Sequence, residues 1–385
     1  MKKKESEQKK KNGGQIIGVI FFVAISMVAG FAIGLFLADG VFVGDTLADV
    51  LPQALILFTG LFVVMYGHIA LHEAGHLLFG LLTGYGFSSY RVGSLMLVKE
   101  SGKLRLRSLS IAGTGGQCLM TPPDMVDGKI PYVLYNLGGI TVNVLLAVVC
   151  LIVAQGMEQN SVWRALMILS VVIGIGFALV NGIPLKLGGV NNDGHNALSL
   201  GKDPDAMRSF WIQMKVNEQI ASGKRLKDMP AEWFEVPEDE KLENPMLASL
   251  AVFATNRYMD EKNFEDGAAL MERLLEGKTG MVGVHKNLMI CDLAYCELIG
   301  QNRPEKLESF LSKEQKQFRQ SMKTFPTVLR AEYVYALLGE KDEKKAEKLR
   351  IQFEKMAKKY PYPGDIQSER ELMELAVQRA KEIGE

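Results

Sequence analysis

Apolar positions along this chain fall into two regimes. In the first half they run almost unbroken: residues 16–38, 53–84, 132–155 and 162–183 are each apolar for about 20 residues or more, the length that crosses a bilayer core. Past about residue 200 they recur at helical spacing among charged residues, the pattern of an ordinary water-facing helical domain. Between the second and third apolar runs, residues 86–130 follow neither pattern. "YRVGSLMLVKESGKLRLRSLSIAGTGGQCLM" alternates in places, breaks at Glu100–Gly102 and alternates again, which predicts a hairpin ending in a glycine-rich stretch.

Charge sharpens the division. Lys plus Arg and Asp plus Glu both number 44 in 385 residues, so no basic excess remains for phosphate contacts, which argues against a dedicated nucleic-acid binder. There is no Lys or Arg between Lys11 and Arg91, and only Glu158 and Arg164 are charged between Lys129 and Lys186. The lysine cluster in "MKKKESEQKKK" sets the N-terminus in the cytosol; four crossings then return the chain to the cytosol near residue 185, and the basic segment 86–130 is cytosolic too. The run 16–38 exceeds the apolar core of a cleaved signal peptide, so it is read as a first membrane helix. The four cysteines form no CxxC pair and are read as free, mostly buried thiols.

The expected architecture is an all-α polytopic membrane core of about four transmembrane helices, a membrane-associated β-hairpin region, and a C-terminal cytosolic α-helical repeat domain. In residues, 1–12 form a basic tail, 13–52 the first transmembrane helix and an outer loop, 53–200 the intramembrane core, 201–243 a linker, and 244–385 the helical-repeat domain. The repeat rests on "RYMDEKNFEDGAALMERLL", "AYCELIGQNRPEKLESFL" and "VYALLGEKDEKKAEKLRIQF", which align on Tyr258, Tyr295 and Tyr335 at about 40-residue spacing and read as tetratricopeptide-like helix pairs.

The second apolar run contains "HIALHEAGHLLFGLLTG". His72 and His76 stand at i and i+4, on one helix face, where two imidazoles can reach one tetrahedral metal ion. Glu73 is rotated away from that pair, where it can take a proton instead of binding metal. An ionisable residue in mid-membrane costs roughly 2.5 kcal/mol or more, so its presence argues for function. A third ligand has to come from another segment. "NGIPLKLGGVNNDGHNAL", after the last run, offers Asp193 and His195, and chemistry alone does not choose between them. His68, one turn before His72, is either a supporting group for the site or a polar residue of the bundle interior; His285 is read as structural or surface.

HEAGH in one membrane helix, and NxxP followed by DG at the end of a later one, resemble the site-2 protease family of intramembrane zinc metalloproteases. The resemblance covers roughly residues 53–200. It implies one zinc ion per chain held by His72, His76 and Asp193, with Glu73 as the catalytic base. It also implies that Asn181 and Pro184 of NxxP, with Gly115 and Gly116 of "GGQCLM", contribute to substrate binding; Met120 completes that motif. "NLGGITVN" is similar to the family's GPxxN helix, with Gly139 and Asn143 retained and Ile140 in place of proline. Asn192 replaces the usual leucine before Asp-Gly. The implied substrate is a membrane-spanning protein or peptide in the lipid bilayer of the cell membrane, cleaved in regulated intramembrane proteolysis. The helical domain is expected to recruit a cytosolic protein partner. The alternative is an inactive membrane adaptor that uses the helical repeats alone.

Overall fold

The computed structural model describes residues 42–44, 46–100, 102–111, 114–187 and 190–384. The basic tail and the apolar run 16–38 lie outside the described residues. The chain divides into two compact units, each taken below by itself.

The first unit comprises the described residues up to Gly86, Gly115–Cys118 and Lys129–Pro204. Its frame is three helices: α1 (Leu47–Leu82), α2 (Tyr132–Gln155) and α3 (Val162–Gly182). All three are long and apolar enough to cross a membrane, and they match three of the four apolar runs. At 36 residues, α1 spans about 54 Å, more than a bilayer core requires. The helices pack pairwise on one another. Their outward faces carry exposed Phe58, Val63, Leu145, Ile152 and Trp163, a covering suited to lipid and out of keeping with water. At the point where α1 and α2 cross most closely, both residues are glycine. A Cβ on Gly75 would stand 2.3 Å from the Gly138 carbonyl oxygen, and one on Gly138 would stand 2.5 Å from that of Gly75. Small residues at such a crossing let backbones touch, the usual way helices associate in lipid. After α3, strands β5 (Lys186–Leu187) and β6 (Val190–Asn191) form a short hairpin, and α4 (Asp193–Ser199) folds back against α2 and α3.

The second unit comprises Phe87–Thr114, Leu119–Gly128 and the chain from Asp205 onward. In place of a single hairpin, residues 86–121 make a four-stranded sheet: β1 (Gly86–Val92), β2 (Leu95–Glu100), β3 (Lys103–Ser108) and β4 (Gly116–Thr121), in the order β3-β2-β1-β4. Strand β2 pairs antiparallel with both β1 and β3. Met96 and Val98, on one face of β2, are buried with Leu109 and with Ala221 of the following helix, against half-buried Tyr360 and Tyr362. Most of the strand region therefore clusters with the helical domain, not with the membrane helices where the sequence reading grouped it.

The segment 201–243 is not a linker. It contains α5 (Pro204–Ala221) followed by three short 3₁₀ turns, and Ile212, Val216, Met229, Phe234 and Leu242 lie in the main core of the unit. Its apolar side chains are spaced through charged sequence, which disguises a core face as a connection. The Trp211 indole N–H donates to the Pro123 carbonyl at 2.9 Å, and Lys215 pairs with Asp124, so the loop after β4 is fastened to α5.

Helices α6 (Pro245–Glu261), α7 (Phe264–Glu276), α8 (Gly283–Ile299), α9 (Pro304–Ser309), α10 (Lys313–Ser321), α11 (Pro326–Val334, continued by a π turn over Tyr335–Gly339), α12 (Glu343–Ala357) and α13 (Pro363–Gly384) complete the unit. Each of the three tyrosine-aligned stretches is the end of one helix, a turn and a second helix. Each turn contains a non-glycine residue in the left-handed region: Lys262, Asn302 and Lys341, with φ of 63°, 53° and 55°. A buried Arg330, held by Asp292 and Glu369 and lying over the Tyr295 ring, ties α8, α11 and α13 together.

Candidate metal centre

The site is built from α1 outward. His68, His72 and His76 occur at intervals of four, so one stripe of α1 faces α2 and α3, and all three rings are buried. The Gly75–Gly138 crossing brings α2 close enough for Gly139 to lie against the His72 ring, 2.5 Å from where a Cβ would stand. Asp193 comes from 121 residues away in sequence. Its Oδ2 lies 3.2 Å from His72 Nε2 and 3.4 Å from His76 Nε2, and the two Nε2 atoms are 3.1 Å apart. His72, His76 and Asp193 form a group that could hold a metal ion.

The surrounding hydrogen bonds fit that use. His76 Nδ1 lies 2.8 Å from the Tyr135 carbonyl oxygen, which can only accept, so Nδ1 carries a proton, and in the neutral ring the lone pair is on Nε2, facing Asp193. With both Nδ1 atoms protonated, the two Nε2 atoms and the Asp193 oxygen meet as three lone-pair donors. A cation among them accepts all three. Asn143, fully buried, spans His72 Nδ1 at 3.1 Å and His68 Nδ1 at 3.2 Å, and His68 Nε2 reaches Ser170 Oγ at 2.9 Å. An amide has a donor end and an acceptor end, so one side chain bridges both rings; with its oxygen turned to His72 Nδ1–H and its NH2 to His68, it leaves His72 Nε2 as the lone-pair nitrogen facing Asp193. Replacing Asn143 by Ala is expected to weaken metal binding about 10–100-fold, the usual loss when a ligand's hydrogen-bond partner is removed. Competition with a chromophoric chelator measures it, and unchanged affinity would remove Asn143 from this role.

Glu73 points away from the ligand pair, as its position in the helix requires. Its carboxylate lies against Gly116, where a Cβ would stand 2.7 Å from Glu73 Oε1, and the Cys118 backbone hydrogen-bonds the same carboxylate. The Tyr135 hydroxyl donates to the Cys118 carbonyl at 3.1 Å. The first residues of β4, Gly116–Cys118, are thus held beside Glu73. Burial pushes the Cys118 thiol up to about 12, so it stays protonated and is no rival nucleophile.

The other residues singled out from sequence are disposed differently. Gly115 abuts Ile69, one turn before Glu73. The Asn181 amide donates back to the Phe177 carbonyl of its own helix at 3.0 Å, and Pro184 is exposed just beyond. His195 stands outside the ligand group; its Nδ1 is 2.9 Å from Ser199 Oγ, one turn along α4. Sequence reading missed three supports. Ser170 and the Tyr135 carbonyl hold the histidine rings. Asn192 does more: its amide donates to the carbonyls of Val180 and Ile183, and its oxygen accepts from the N–H groups of Leu185 and His195. It closes the end of α3 and caps α4, which fixes Asp193 in the first turn of α4. An Asn directly before Asp-Gly and an apolar run is an N-cap signature and was legible as one.

No family model, curated protein or solved structure matches this chain at a significant level.

Proposed function

We propose that this chain is an intramembrane zinc metallopeptidase of the site-2 protease type, cutting peptide bonds in or near transmembrane segments of membrane proteins or peptides. The observation that carries the reading is the convergence of His72, His76 and Asp193 beside Glu73, within helices apolar enough to lie in a bilayer. Two imidazoles and a carboxylate leave a fourth position open, the donor set of catalytic zinc sites. The proposed zinc, when bound, supplies Lewis acidity toward a carbonyl oxygen and acidifies water to near-neutral pKa.

The chain's own residues do the rest. Glu73 takes the proton from attacking water and returns it to the leaving amine. Tyr135, Asn143, His68 and Ser170 hold the ligand rings in one orientation. A substrate helix has its carbonyls already bonded and must unwind before attack, so it needs new backbone partners in a medium without water. The backbone of Gly116–Cys118 next to Glu73 is proposed to offer them to an added strand; Gly115 and Gly116 keep that approach open. Asn181 and Pro184, at the end of α3, are proposed to guide the same strand. The N-terminus and the helical unit are assigned to the cytosol from the distribution of Lys and Arg, with the helical unit, read as tetratricopeptide-like repeats, as the docking surface for a protein partner.

The decisive experiment is cleavage of a model single-span substrate by the purified full chain in detergent. Cleavage is expected to stop with a divalent-ion chelator and return with added zinc. Chelator-insensitive cleavage, or none under any metal condition, would reject the proposal.

A further inference from the structure

The second unit carries a cavity that the peptidase chemistry does not use. It measures about 490 Å³, within the ~300–1,000 Å³ of small-molecule sites. Its walls are the segment leaving β3, the approach to α11 and the end of α12 with the residues just after it. The floor is apolar. Leu109 and Leu329 are buried, while Phe325 and Tyr360 are half-buried, with rings edge to face and centroids 6.4 Å apart. The rim is cationic: Lys323, Lys355 and Lys359 stand around it, and no acidic residue lines the cavity.

Three features separate this rim from an ordinary solvated surface. The first is pairing. Lys306, Lys345 and Lys241, elsewhere in the unit, each have a carboxylate at 2.6–2.8 Å; the three rim lysines have none among the described residues. The second is segregation along α12 and its extension. Lys348, Gln352, Lys355 and Lys359 recur at intervals of three or four on one face, whereas Glu347 and Glu354 lie off it and are bound by Arg350 and Arg370. The third is the wall at Phe325, the N-cap of the nine-residue α11, which adds the positive end of a helix dipole to the same rim. Three ammonium groups with no carboxylate partner and a helix N-terminus over an apolar floor make a cavity complementary to an anion with an apolar body.

The geometry points to a binding site for an organic phosphate, its phosphoryl oxygens on Lys323, Lys355 and Lys359 and its apolar body on Leu109, Leu329, Phe325 and Tyr360. Lysine is a compact charge with three donors, suited to phosphate without fixed geometry. Inorganic phosphate would satisfy the rim and leave the floor exposed, so the ligand carries both parts. A soluble nucleotide and a phospholipid headgroup share that chemistry. The inference is independent of the peptidase reading.

Calorimetric titration of the full chain in detergent at low ionic strength tests it, with three probes: ATP, dihexanoyl-phosphatidylglycerol below its micelle concentration, and inorganic phosphate. Saturable binding of ATP or the short-chain lipid is expected, at least tenfold tighter than inorganic phosphate and weaker as salt is raised. Binding of ATP alone assigns a soluble ligand; binding of the lipid alone assigns a headgroup. The double variant Lys355→Ala, Lys359→Ala is expected to lose at least tenfold in affinity at unchanged melting temperature, and Lys306→Ala to lose none. Binding of neither organic probe, inorganic phosphate binding equally well, or affinity unmoved by the double variant would overturn the inference.

Discussion

Glu73→Gln is expected to lower kcat/KM for a membrane-spanning substrate by about 10²–10⁴-fold, the contribution typical of a positioned general base, while the protein keeps its metal. The substitution is nearly isosteric. It keeps the side chain against Gly116, where the fit is already tight, and removes only the capacity to accept a proton. Because Glu73 stands off the axis joining His72, His76 and Asp193, the ligand group loses nothing. Metal content and melting temperature of the variant, read beside its cleavage rate, separate a missing base from a damaged site. A variant that retains full metal and full cleavage would take the base role away from Glu73.

The second large effect concerns the third ligand. Asp193→Ala is expected to reduce bound metal from about one ion per chain to a small fraction, a loss exceeding the ~10–100-fold assigned to supporting groups. His195→Ala is expected to leave the metal in place. The two residues are neighbours on one short helix, yet their side chains part: Asp193 Oδ2 reaches both histidines, whereas His195 Nδ1 turns to Ser199. Metal analysis of the two variants after exhaustive dialysis makes the comparison. The reverse outcome, with metal lost from His195→Ala and kept in Asp193→Ala, would move the ligand to the imidazole and imply a different seating of α4.

Much of the membrane unit was legible because lipid imposes a simple rule on sequence. Helices in a bilayer need about 20 apolar residues, and three such runs coincide with α1, α2 and α3 to within a few residues. The His72–His76 spacing was legible for a similar reason: the pitch of a helix alone brings i and i+4 together. The strand region was legible only as alternation. That it forms four strands depends on pairing within residues 86–121, and that Met96 and Val98 are buried depends also on Ala221, Tyr360 and Tyr362, more than 100 residues away. Segment 201–243 misled because amphipathic spacing through charged sequence looks the same in a linker and in a core helix until its packing partners are known.

The sequence by itself determined the local chemistry: which segments suit lipid, which two imidazoles share a face, and that a carboxylate stands next to them. These follow from composition and helix period, properties of neighbours along the chain. Only the tertiary structure brought Asp193 and not His195 to the two imidazoles, gave Asn143 two rings to hold, made Asn192 the clamp on α4, and turned Gly75, Gly138 and Gly116 into points of close approach. Those outcomes depend on distances between segments far apart in sequence, and packing sets such distances after each helix has formed.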